Sequence, residues 1–463
     1  MKMIGVGVFV WWVVLLSACM AFAAPGDLVW SYTPGDWVSS SPAAEGGRVY
    51  VGSWDDNVYC LDAATGGLEW AYTAGHDVFS SPAAEGGYVY VGSYDERVYC
   101  LAAATGGVVW SHTVGGDVSS SPAVSRGHVY VGSHDGKVYC LNAAAGGVVW
   151  SYATGAWIHS SPAAEGGYVY VGSADNKVYC LGAATGTEVW SYATGDIVYS
   201  SPAVSDGHVY VGSHDGNVYC LDAGTGGLEW SYATGAEVYS SPAVKGGYVY
   251  VGGYNDVCCL NAVTGAFEWS YSTGDWVVSS PAVSDGYVYV GSYDGNVYCL
   301  DAGTGGLVWS YDTGDEVYSS PAVKGGCVYV GGYNKVYCLE AGAGDPGEWP
   351  MFRHDPRHTG SAEAIPAWSN AIDLEVGWNL IGGLRGNDDP VLLSNCVIDD
   401  GADLMPWDDA TAAGLLQHEA YYYVPGSGYG VLCTTGGDDD SLRGGSGYWV
   451  LTYQPGLRLL VAP

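Results

Sequence analysis

The chain has 463 residues, and 49 Asp and Glu against 14 Lys and Arg give it a formal charge of −35. That balance, with no basic patch, excludes a nucleic-acid or anionic-membrane surface, and leaves a lipid anchor as the only membrane contact to expect. Glycine is abundant at 72 residues, and a repetitive turn-rich β fold can absorb over ~300 residues as one domain.

Met1-Lys2-Met3, an apolar run from Ile4 to Leu16 and a stretch of small residues form a secretory signal, too short and wrongly flanked for a transmembrane span. Two processing sites compete. Leu16-Ser17-Ala18-Cys19 resembles a bacterial lipobox, which removes 1–18 and leaves a lipid-modified Cys19. Ala21-Phe22-Ala23 is an ordinary cleavage site that removes 1–23. Both predict an exported protein at the cell surface, in the envelope or outside the cell.

From residue 24 the sequence repeats. Cys60-Leu61-Asp62-Ala63-Ala64-Thr65-Gly66-Gly67-Leu68-Glu69-Trp70 recurs with its tryptophan at Trp110, Trp150, Trp190, Trp230, Trp269 and Trp309, and Leu28-Val29-Trp30 precedes the first copy. The period is 40 residues, shortened to 39 before Cys259. A period of this size without helical patterning marks a propeller blade. In the fifth copy the strands are expected at Ser200–Val204, His208–Gly212, Val218–Asp222 and Leu228–Tyr232, separated by Asp-Gly and Gly-Gly turns that need positive φ. Ser-Ser-Pro-Ala occurs eight times, with prolines at 42, 82, 122, 162, 202, 242, 281 and 321, so eight four-stranded blades follow. The surplus strand at Trp30 is a candidate to close the ring, in competition with Glu348-Trp349.

Thirteen cysteines in an exported chain suggest a disulfide framework. Their placement argues otherwise. Cys60, Cys100, Cys140, Cys180, Cys220, Cys259, Cys299 and Cys338 fall at one equivalent site per repeat. Eightfold-related atoms at a radius of roughly 16 Å stand about 12 Å apart, beyond the ~7 Å Cα reach of a bridge. They read as small buried side chains. Cys396 and Cys433, outside the repeats, are the remaining candidates to pair.

The phrase A-x-D-x-x-T-G-x-x-x-W, carried here with Cys in place of Ala, resembles the tryptophan-docking motif of quinoprotein-type (PQQ-like) propellers, and Trp349 to Gly360 is similar to a segment found beside such repeats. The resemblance spans residues 28–360. It implies an all-β, eight-bladed propeller in which Trp30, Trp70, Trp110, Trp150, Trp190, Trp230, Trp269 and Trp309 stack between neighbouring blades. The same resemblance includes BamB-type envelope lipoproteins and PQQ-dependent (quinoprotein) dehydrogenases. The adjacent Cys258-Cys259 pair is a feature of the latter, but it falls in a strand where other copies read Tyr-Cys, and no repeat holds an insertion for a catalytic loop. The expectation is no enzyme, no cofactor, no metal site and no catalytic residue. The histidines lack ligand spacing, and turn chemistry accounts for the Ser-x-Asp-Gly aspartates.

Function is then to be read where the copies differ. One variable position, in the segment returning to the next innermost strand, reads Trp37, Asp77, Asp117, Trp157, Ile197, Glu237, Trp276 and Glu316. Two residues on it reads Ser39, Phe79, Ser119, His159, Tyr199, Tyr239, Val278 and Tyr318. A third set lies in the hairpin after the second strand: Trp54, Tyr94, His134, Ala174, His214, Tyr254, Tyr293 and Tyr333. Strand parity puts these on one face. The expected ligand-binding face comprises Trp37, Trp54, Asp77, Tyr94, Asp117, His134, Trp157, His214, Glu237, Trp276, Tyr293 and Glu316, and suits a protein, peptide or glycan partner of a monomeric scaffold.

Four regions are expected: the signal, the propeller over 24–360, a linker over 361–370, and a small β-rich accessory domain over 371–463 with one candidate helix at Asp408–Gln417.

Overall fold

The computed structural model describes residues 24–342 in full, and the strand backbones between 370 and 461. The chain divides into two compact units, with the boundary between Ala362 and Glu363.

The first unit is built from eight four-stranded antiparallel sheets, an all-β propeller with no helix among the described residues. In the fifth blade the strands are Ala203–Ser205, His208–Gly212, Asn217–Asp222 and Leu228–Ala233, paired in that order. The second and third match the Val/Tyr alternation closely. The innermost strand is shorter than expected: Ser200-Ser201-Pro202 lies outside it.

Those serines instead hold the ring together. The first serine of each pair binds within its blade, as when Gly212 N–H donates to Ser200 Oγ at 3.0 Å. The second links neighbours: Ser161 N–H donates to Ser201 Oγ at 3.0 Å, and Ser201 N–H to Ser241 Oγ at 2.9 Å. The same bond runs from blade to blade until Ser320 N–H donates to Ser41 Oγ at 3.0 Å. Eight buried donors are thereby satisfied in a closed circle, each contributing about 1 kcal/mol.

The tryptophans form the outer counterpart. Trp150, in an outermost strand, donates its indole N–H to Ala183 O of the next blade at 2.8 Å, and six other blades repeat the bond. Beneath the ring lies Gly186, at φ 68°. A Cβ there would sit 2.6 Å from the indole, so this turn position is restricted to glycine by both conformation and contact. The cysteine of each repeat pairs across strands with its tryptophan, as Cys180 does with Trp190. It is buried and free, and burial pushes its thiol up to about 12.

Closure uses the N-terminal strand. Leu28–Tyr32 pairs antiparallel with Val336–Glu340 as the outermost strand of the eighth blade. Gly26 N–H also donates to Glu340 O at 2.7 Å. The competing Glu348-Trp349, the signal with Cys19, and the linker as far as residue 369 lie outside the described residues, while Asn370 opens a strand.

In the second unit, Gly377–Gly382, Leu416–Val424, Gly428–Val431 and Gly447–Thr452 form one four-stranded sheet. Asn370–Leu374, Cys396–Asp399, Leu404–Pro406 and Leu457–Val461 form another. The expected helix is corrected at its end, where Leu416 and Gln417 open a strand. The rest of it, and Cys433, lie outside the described residues.

Candidate functional site: an aromatic crown on one face

In six of the eight blades the return segment is pinned to the hairpin of its own blade by a backbone bond. Trp54 N–H donates to Trp37 O at 2.9 Å, His134 N–H to Asp117 O at 2.9 Å, and Tyr293 N–H to Trp276 O at 2.9 Å. The three variable positions of such a blade therefore meet at one place.

The hairpin aspartate fixes this junction. Asp215 Oδ2 accepts from Tyr219 Oη at 2.6 Å and from Gly195 N–H at 2.6 Å, while Oδ1 accepts from Asn217 N–H at 2.9 Å. These bonds hold its carboxyl below the usual range against the opposing effect of burial. Asp55, Asp95, Asp135, Asp175 and Asp294 bind their tyrosines likewise. Local turn chemistry thus covers only part of what this residue does. Its recurrence four positions before Tyr was the available signal. The sixth blade has a shortened hairpin and Cys258 at the tyrosine position, and Cys258 Sγ lies 3.3 Å from Asp256.

On this frame the side chains form a circuit of ring contacts with one step, from Trp276 to Tyr293, made by backbone. Trp37 stacks on Trp54 (centroids 5.2 Å apart), Trp54 meets Phe79 at 4.7 Å, and Phe79 stacks on Tyr94 at 5.2 Å. The circuit continues through His134 (5.9 Å) and Trp157 (5.4 Å) to Tyr199 (6.1 Å). From there it passes to His214 (4.6 Å), Tyr239 (4.2 Å) and Trp276 (5.6 Å). After the backbone bond from Tyr293 to Trp276, Tyr293 contacts Tyr318 at 4.3 Å and Tyr318 returns to Trp37 at 5.6 Å. Phe79, Tyr199, Tyr239 and Tyr318 are members that the expected site omitted, although each stands at a variable position. Exposure is greatest at Tyr254 (51 %), Trp157 (46 %) and Tyr333 (41 %).

The polar members are tied into the circuit. Tyr239 Oη donates to Glu237 at 2.9 Å. Ser119 Oγ lies 2.8 Å from both His134 Nε2 and His159 Nδ1, and His134 Nδ1 lies 3.7 Å from Asp117. Trp54 Nε1 donates to Ser39 in the equivalent place at 2.8 Å, so both copies that carry serine there bind the ring of their own hairpin. Burial lowers His134 and His214, and takes His159 down to about 4 with help from both neighbours. Burial also pushes Tyr94 up to about 12, with Asp117 and Asp77 adding to the shift. Asp77 is raised by burial against His76, whose Nδ1 stands 3.2 Å away. Ligand atoms of Asp56, His76 and Asp77 lie within 4.8 Å of one another at the crown edge. His76 there is exposed and already engaged by a carboxylate.

The crown face is acidic as well as aromatic. Asp36, Asp196 and Asp275 each accept the N–H of the following residue at 2.8 Å, which bends the return segment ahead of it. No lysine or arginine occurs in any return segment.

Two family models match the chain: the β-propeller of the beta-alanine-activating enzyme over residues 16–244, and the outer membrane protein assembly factor BamB over 235–346. No curated protein matches the sequence. Among solved structures, BamB from Moraxella catarrhalis superposes with a TM-score of 0.60 at 20% identity, covering 68% of this chain and 99% of that one. The computationally designed Ika8 protein gives 0.63 at 21% identity, covering 68% and 99%. A europium-containing methanol dehydrogenase gives 0.58 at 16% identity, covering 66% and 85%. The chain is an eight-bladed PQQ-like β-propeller repeat protein. Within it, residues 235–346 are similar in sequence to BamB.

Proposed function

We propose that this protein is an exported, non-enzymatic scaffold of the cell envelope that captures a macromolecular partner on its aromatic and acidic crown. The observation that carries this reading is the circuit of rings: large, partly exposed side chains placed at the variable positions of an otherwise uniform repeat. Such rings are enriched where proteins recognise partners, and scaffold loops are where recognition concentrates. The BamB likeness supports a protein partner in envelope assembly, reached by a secreted chain or through lipid-modified Cys19.

The dehydrogenase reading is the weaker one. A quinone cofactor with three carboxylates would meet Asp and Glu on this face, with no Lys or Arg in the return segments to pair with it. Cys258 and Cys259 sit in a regular strand, Asp256–Asn261, where consecutive side chains leave on opposite faces. The residues present do not fit that group.

The test is a protein, peptide and glycan array probed with the mature full-length chain and with Trp37/Trp157/Trp276→Ala. Selective binding that disappears in the variant supports the crown. Equal binding by both proteins removes the site. Alcohol oxidation by the chain reconstituted with quinone and calcium would overturn the scaffold reading.

A further inference from the structure

We infer that the crown selects a cationic partner, an extended polypeptide segment bearing Arg or Lys side chains. This rests on the crown being the binding face and names what it recognises.

Three features converge. Guanidinium and ammonium groups are attracted to ring faces, and the crown offers Trp157, Tyr254 and Tyr333 each more than two-fifths exposed. Carboxylates accompany these rings along the arc from the fifth blade through the eighth to the first, where Asp36, Asp196, Glu237, Asp275 and Asp315 are all exposed. Compensating positive charge is scarce: the hairpins contribute Arg97, Lys137, Lys177 and Lys335, at or just before the start of third strands, and the return segments contribute none. Lys137 there is already 3.5 Å from Asp135 and 5.9 Å from the Tyr139 ring centre. The histidine sector adds no charge at neutral pH, since burial holds His134, His159 and His214 low.

A neutral surface of rings would serve sugars or apolar chains without carboxylates. Carboxylates without rings would be ordinary solvated charge. Their combination is what a row of cationic side chains uses, each seated on a ring and flanked by an anion. An anionic chain would meet repulsion along that arc.

The experiment is fluorescence anisotropy with the full mature chain and four labelled peptides of equal length, alternating Gly with Arg, Lys, Gln or Glu. The Arg and Lys peptides are expected to bind, and the Glu peptide at least tenfold more weakly. Asp36/Asp196/Asp275→Asn and Trp157/Tyr254→Ala should each weaken Arg-peptide binding by tenfold or more. Glu85/Glu165/Glu229→Gln, which removes as many charges away from the crown, should change it less than twofold. All variants are checked for unchanged thermal melting. Equal loss in the two charge variants would show non-specific attraction to an acidic chain and overturn the inference. If the Gln peptide or a neutral glycan binds the crown better than the Arg peptide, cation selection fails while the crown survives as the site. If no ligand binds any variant-sensitive site, both fall.

Discussion

The inside of the ring and its crown were made from the same forty residues, yet they obey opposite rules. Inside, the same bonds recur: serine to serine through all eight blades around the centre, and tryptophan to alanine carbonyl in seven of them at the rim. At the crown the backbone bonds also repeat, but the side chains they present change from Trp to Asp to His. Uniformity is confined to positions where a change costs ring closure, and variety to positions where it costs little. The crown can therefore be altered without rebuilding the ring.

The largest expected effect breaks the inside. Deleting residues 24–33 removes the strand Leu28–Tyr32 and bares the edge of Val336–Glu340. A loss on this scale exceeds the roughly 5–15 kcal/mol by which domains are stable. Soluble protein with a cooperative melt should no longer be recovered. An unchanged melt would mean that another segment closes the ring. Next, Trp150→Ala removes one docked ring and its bond to Ala183. It should cost about 3–5 kcal/mol in chemical denaturation.

A smaller effect belongs to the crown's buried sector. The folded state holds His159 near 4, below the ordinary histidine value of about 6.5. Its contribution is complete above pH ~6.5 and is lost as the pH falls through the folded value. The loss is at most about 3 kcal/mol. In His159→Phe, which copies Phe79 of an earlier blade, stability should fall less steeply between pH 7 and pH 4 than in the parent. Equal slopes would place the titration elsewhere. Smallest of all, Trp157→Ala at an exposed position should shift stability by only about 0.5 kcal/mol. A cost near that of Trp150→Ala would erase the distinction between crown and interior.

Much of the interior was legible in the sequence because its signals are local. The strand His208–Gly212 falls where Val/Tyr alternation between Asp-Gly turns puts it. The surplus tryptophan phrase at Trp30 marked the closing strand as one of two candidates. What escaped notice was non-local. Ser200 and Ser201 look like the start of a strand, but their hydroxyls serve Gly212 and the preceding blade's Ser161. Asp215 looks like a turn residue, yet it also reaches Gly195, twenty positions back. At the crown, sequence variation pointed to Trp37, His134 and Trp276. It did not show that Phe79, Tyr199 and Tyr239 complete the circuit, since ring contact between blades has no signature along the chain.

The central claim is that the repeat's constant bonds build the ring while its variable crown does the binding. It is tested most directly by a levelled variant in which all eight return segments carry the sequence Thr113 to Ser119. Melting temperature and partner binding are measured on the same preparation. A melt within a few degrees of the parent, with binding abolished, is the predicted result. Full binding by the levelled protein would contradict it.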